Sequence, residues 1–130
     1  TKKANQFDVN LVPNINTAQS EFSPVFFKNQ LVFISDMNKN LMNEKENLLH
    51  VYFSEMKKGS DGAAQFSAEV KPFPWPINSD FHDGPVSFNA EQNMVFITHV
   101  DLFNNKDKKF VNRTKLYFST LKDNIAEKVK

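Results

Sequence analysis

The 130-residue chain has no cysteine, only three glycines, and no apolar run approaching the roughly 18 to 20 residues of a bilayer-spanning helix. Without cysteine there is no disulfide framework, no thiolate zinc site and no cysteine nucleophile. Excess charge is missing too: 16 Lys and Arg stand against 15 Asp and Glu, for a net charge of +1. The lysines sit beside acids, as in Glu44-Lys45-Glu46 and Lys106-Asp107-Lys108, so nucleic-acid binding has no electrostatic footprint. No Gly-rich phosphate loop, serine nucleophile elbow or pair of carboxylates at strand ends is present, so neither a cofactor nor catalysis is expected. No signal-peptide hydrophobic core is visible, and a chain opening on Thr1 reads as a mature or excised form, with any signal or anchor upstream.

What the chain does have is phenylalanine, fourteen in all, concentrated in short runs with β-branched neighbours. Such runs favour strands, and the flat rings suit a layer between packed sheets. The runs also recur. Ile15-Asn16-Thr17, Pro24-Val25-Phe26-Phe27, Leu31-Val32-Phe33-Ile34-Ser35 and Val51-Tyr52-Phe53-Ser54 are followed by a second series in the same order. That series is Ile77-Asn78-Ser79, Pro85-Val86-Ser87-Phe88, Met94-Val95-Phe96-Ile97-Thr98 and Leu116-Tyr117-Phe118-Ser119. Ile77 lies 62 residues after Ile15, Pro85 61 after Pro24, Phe96 63 after Phe33 and Phe118 65 after Phe53. A near-constant period with loop-sized slippage marks a structural repeat.

Strands are expected over 24–27, 30–35, 49–56 and 65–72 in the first copy, and over 85–88, 93–100 and 114–120 in the second. Lys28-Asn29 would make a tight hairpin, and 36–47 and 104–109 longer loops. Residues 7–12 read as a further strand belonging to a preceding unit, and 122–130 as a charged helix or the start of an outer strand. Runs 31–34 and 94–97 are apolar at every position, as in strands covered on both faces. The fold expected is all-β: two four-stranded antiparallel blades, or most of them, of a β-propeller, with a small β-sandwich as the alternative. The units would be 1–14, an outer strand or tail; 15–76, the first repeat; 77–121, the second; and 122–130. Two blades do not close a ring, so further blades or a covering partner are expected.

The segments Ile77-Asn78-Ser79-Asp80-Phe81-His82-Asp83-Gly84-Pro85-Val86-Ser87-Phe88 and Asn93-Met94-Val95-Phe96-Ile97-Thr98, with Leu116-Tyr117-Phe118-Ser119, carry a family likeness. They resemble the WD40-like (TolB-like) β-propeller repeats of Bacteroidota cell-envelope proteins, over about 15–120. The first copy departs from the pattern, with Phe22-Ser23-Pro24 where the second has Asp83-Gly84-Pro85. The resemblance implies a periplasmic or outer-membrane-associated scaffold for protein–protein interaction, in some relatives tied to secretion machinery. It also implies peptidoglycan contact through a neighbouring OmpA-type domain that this chain does not contain.

Three residues are candidates for binding. His82 and Asp83 would lie near the mouth of a propeller's channel, where an imidazole beside an acid can hold a ligand or move a proton. The plainer reading has His82 bonding locally and Asp83-Gly84-Pro85 shaping a turn. Trp75, within Pro72-Phe73-Pro74-Trp75-Pro76, is either a packing residue between units or an exposed anchor for a partner or a sugar ring. A metal site is not expected: His50, His82 and His99 are far apart in sequence, and the loop opening at Asp36 has Leu41 and Asn47 where a calcium loop needs Gly and Glu. Asn112-Arg113-Thr114 matches the glycosylation sequon, expected by chance in an Asn-rich chain. Loops 36–47 and 100–112 would supply recognition surfaces for an envelope protein. A carbohydrate-binding or glycan-processing propeller using Trp75 and His82-Asp83 is the rival function.

Overall fold

The computed structural model describes residues 8–37, 48–74, 81–104, 110–123 and 125–127. They form two four-stranded antiparallel sheets, each a simple meander. The first holds β1 (Glu21–Phe27), β2 (Gln30–Ser35), β3 (His50–Lys58) and β4 (Ala64–Pro72). The second holds β5 (Asp83–Phe88), β6 (Met94–Asn104), β7 (Phe110–Lys122) and β8 (Ile125–Ala126). Strands replace the expected loop over most of 100–112, because the β6–β7 ladder runs without interruption to Asn104 opposite Phe110. The described part of 7–12 is no strand. Its backbone turns instead, with Ile15 and Asn16 N–H both donating to the Val12 carbonyl, and Asn14 ties it to the first sheet by donating to the Phe66 carbonyl.

Each copy breaks its first ladder at its proline. The pairing shifts between Phe22 and Val25 in β1 and between Asp83 and Val86 in β5. Proline offers no N–H to a ladder, so it takes the unpaired place in a bulge. The residue before it adopts a left-handed conformation in both, φ 51 at Ser23 and φ 91 at Gly84. Only glycine does so at no steric cost. The tight turn at Lys28-Asn29 leaves Lys28 at φ 51, its N–H donating to the Gln92 side-chain oxygen of the other sheet.

The sheets meet face to face around one core. Val32, Ile34 and Val51 contribute from the first sheet and Val86, Val95 and Ile97 from the second, with Phe27 and Phe73 completing it. Phe27 stacks on Phe88 at 4.3 Å and 18° between planes, and Phe73 presents its ring edge-on to Phe27, Phe53 and Phe88. Residues at matching places in the two copies, such as Val32 and Val95, thus share one core.

The third strands correct the repeat alignment. Phe33 pairs with Tyr52, but Phe96 pairs with Phe118, so Tyr117 corresponds in space to Val51 and not to Tyr52. A one-residue change of register moves every side chain to the other face. Tyr52 therefore lies on the outer side of its sheet with Phe33, whereas Tyr117 packs on the shared core.

Part of the outer face of the first sheet is covered by the chain itself. Val12 and Ile15 cover Leu31, Phe33, Tyr52 and Val70. The Tyr52 hydroxyl donates to the Met37 carbonyl at 2.5 Å, and burial, then the nearby Asp36 carboxylate, push its pKa above the ordinary tyrosine value. A raised folded pKa means that ionisation opposes folding: the stability tied to the protonated hydroxyl is complete below about pH 10 and is lost as pH rises beyond it. Tyr52→Phe is expected to cost about 1 kcal/mol at neutral pH for the lost hydrogen bond. It should also lose less stability than the parent above about pH 10, measured by urea unfolding at neutral and alkaline pH.

Gly84 faces the core so closely that a Cβ there would lie 2.1 Å from Cδ1 of Ile34. Gly84→Ala combines that overlap with left-handed strain, and should destabilise by about 2 to 4 kcal/mol. Adding Ile34→Val to the same chain should return part of that loss. The matching change Ser23→Gly should be neutral or gain up to about 1 kcal/mol. Thermal melts of the four proteins give the comparison.

Candidate functional site

The three histidines, separated in sequence, converge at one end of the two sheets. Asp83, the first residue of β5, is buried, and its carboxylate is shared between two rings. Oδ1 lies 2.6 Å from Nδ1 of His99 and Oδ2 3.2 Å from Nδ1 of His50. His99 is its direct cross-strand partner in β6, whereas His50 opens β3 of the other sheet. With Asp83 ionised, each ring donates its Nδ1–H, a charge-assisted bond. The His99 ring also stands edge-on to Tyr117 at 5.9 Å.

His82 completes the group by a different route. Its Nδ1 accepts the N–H of Leu49 at 3.0 Å, so that nitrogen carries no proton in this arrangement. Asp83 N–H donates back to the Leu49 carbonyl at 2.7 Å, and Val100 N–H donates to the His82 carbonyl. Leu49 and the pair 82–83 thus form a short main-chain bridge between sheets. The local-turn reading of His82-Asp83-Gly84-Pro85 is thereby corrected: Asp83 to Phe88 is a strand, and the partners of His82 and Asp83 include residues 33 positions away. Trp75 lies outside the described residues.

Chemically, the cluster is a clasp. Both Asp83 oxygens bond imidazole nitrogens, and among the described residues no group of three or more His, Cys, Asp and Glu is placed to hold a metal ion. An imidazole–carboxylate pair can activate a hydroxyl, but the serine paired across from His50 is Ser35, fully buried, with its oxygen accepting the Met37 N–H. Sequence spacing could not show this convergence, since it depends on how the two sheets pack. The one available signal was that His50 and His99 each flank a strand run of the repeat.

Compared with protein-family models, with curated proteins and with solved structures, the chain matches none. The propeller-repeat resemblance therefore rests on its motif residues alone. Among the described residues, no helix is long and apolar enough to cross a membrane.

Asp83→Asn keeps the shape and removes the charge both rings bond to, and is expected to lower stability by about 1 to 3 kcal/mol. His99→Ala, at a buried end of the clasp, should cost more than His50→Ala, whose side chain is 34% exposed and whose bond should be worth about 1 kcal/mol or less. Urea unfolding with unchanged m-values checks the order; an equal cost at both positions would contradict the clasp.

Proposed function

We propose that this chain is a non-catalytic, repeat-built β module that works by protein–protein contact in the bacterial cell envelope. The observation that carries the reading is the repeat itself: two copies of one sequence pattern, each a four-stranded meander on an aromatic core. Such units hold loops and faces rigidly and suit recognition more than chemistry. The imidazole–carboxylate cluster supports the same view, because His50 and His82 bond across between the sheets while His99 holds Asp83 from within its own.

Two architectures are compatible with that function. Consecutive blades of a propeller would give the meander order and the bulge repeated at Pro24 and Pro85. A closed two-sheet sandwich is favoured by the shared core in which Val32 and Ile34 meet their counterparts Val95 and Ile97. In a ring of blades related by rotation, one face of each unit meets the opposite face of the next, so matching residues fall in different interfaces.

Fractionation of the cells that make the protein tests the envelope assignment. Tagged protein should partition with periplasm or outer membrane, and an amine-reactive cross-linker should trap it to a second envelope protein at a defined stoichiometry. Partition with the cytosol overturns the location. Turnover of glycoside, ester or phosphate substrates by purified protein, lost in His50→Ala or His99→Ala, overturns the non-catalytic assignment. Glycan binding without turnover would transfer support to the carbohydrate-binding reading.

A further inference from the structure

We infer that residues 12–16 are a detachable strap: the turn lifts off the outer face of the first sheet as a unit, hinged at 17–21, while the two sheets stay joined. Of the thirteen residues 8–20, only Ile15 is buried and only Val12 half-buried. Val9 and Leu11, the other large apolar side chains there, are 93% and 80% exposed. No residue of 8–20 belongs to a strand, so no ladder bond holds the segment.

Its ties to the sheet are few. The N–H groups of Ile15 and Asn16 donate to the Val12 carbonyl at 3.4 and 3.3 Å, and Val12 N–H donates to the Asn16 side-chain oxygen, all inside the turn itself. Among the described residues, Asn14 alone reaches from this turn to the sheet, its side-chain N–H donating to the Phe66 carbonyl at 2.9 Å. Thr17 N–H bonds the Glu21 carboxylate and Ser20 N–H that of Asp36, which fixes the root of the strap rather than its tip. Packing is open on both sides: a cleft of about 100 Å³ lies among Val12, Ile15, Phe22 and Phe33, and one of about 300 Å³ among Pro13, Asn14 and Phe66. Few buried apolar contacts and exposed main-chain bonds mark a segment that opens well below the free energy of global unfolding.

Beneath the strap lie Leu31, Phe33, Tyr52 and Val70, a cluster that shares no residue with the layer between the sheets. Lifting the strap therefore costs the contacts of Ile15 and Val12 and the Asn14 bond, and returns backbone freedom to the turn. These nearly cancel, so the closed form should outweigh the open one by only about 10- to 1000-fold. The covered part of the first sheet is thus a gated apolar surface, shut in this structure and bared without unfolding the molecule. The device does not depend on where in the cell the protein resides.

Native-state hydrogen exchange of the full chain tests it. The amides of Val12, Ile15 and Asn16 should be protected about 10- to 1000-fold, with rates nearly flat in low urea. Those of Val32 and Val95, in the middle strands of the two sheets, should exchange at least about 100-fold more slowly and respond steeply to urea. Ile15→Lys should hold the strap open. Its β-type circular dichroism and cooperative melt should persist, and it should bind at least about twofold more of an apolar dye such as ANS than the parent. Val9→Lys, on the same segment but already exposed, should match the parent. Equal protection and equal urea dependence at 12–16 and in β2 overturn the inference, as does an Ile15→Lys chain that unfolds or takes up no more dye than the parent.

Discussion

The structure depends on one shared apolar layer. Neither four-stranded sheet can bury both of its faces alone, and a single layer of strands exposes as much apolar surface as it hides. The layer between the sheets resolves this with clustered aromatic rings and, at one close approach, a glycine. Phe73, arriving after β4, lays its edge against three other rings, while Gly84 lets β5 come within contact of Ile34. Edge-to-face contacts fill space among the rings, and the missing Cβ makes the close approach at Gly84 possible.

At its two ends the layer is sealed by polar contacts of opposite kinds. One end uses Lys28 N–H donating to the Gln92 side chain, a neutral bond between two hairpin turns. The other uses Asp83, buried and held by two histidines from different sheets. A buried carboxylate without partners would cost far more than its bonds return, so the histidines are as necessary to Asp83 as Asp83 is to them. The Asp83 oxygens and Nδ1 of His50, His82 and His99 are thus all taken up in bonds within the molecule.

Much of this was legible in the residues. β-Branched and aromatic runs mark the strands, and all-apolar 31–34 announces a strand covered on two sides, as Val12 and Ile15 show on one side and the second sheet on the other. Three things were not legible, each for a physical reason. The slip that puts Phe118 across from Phe96 depends on hairpin closure, and a similar string of letters on both copies hides a change of face. The meeting of His50, His82 and His99 depends on sheet packing, which period and spacing do not encode. The turn at Val12 to Asn16 carries the apolar residues of a strand but, with Pro13 and Asn14 in its middle and Asn14 at φ 67, spends them as a cap.

The clasp also shows where the repeat stops being a repeat. Asp83 stands at the position that Phe22 fills in the first copy, and Gly84 at that of Ser23. The bulged β1–β2 hairpin of the first sheet forms without such a carboxylate, whereas in the second Asp83 bonds both its cross-strand partner His99 and His50 of the other sheet. It belongs to the joint, and a joint between two units needs it only once. Phe22, in its place, is 40% exposed and has no carboxylate to offer a histidine.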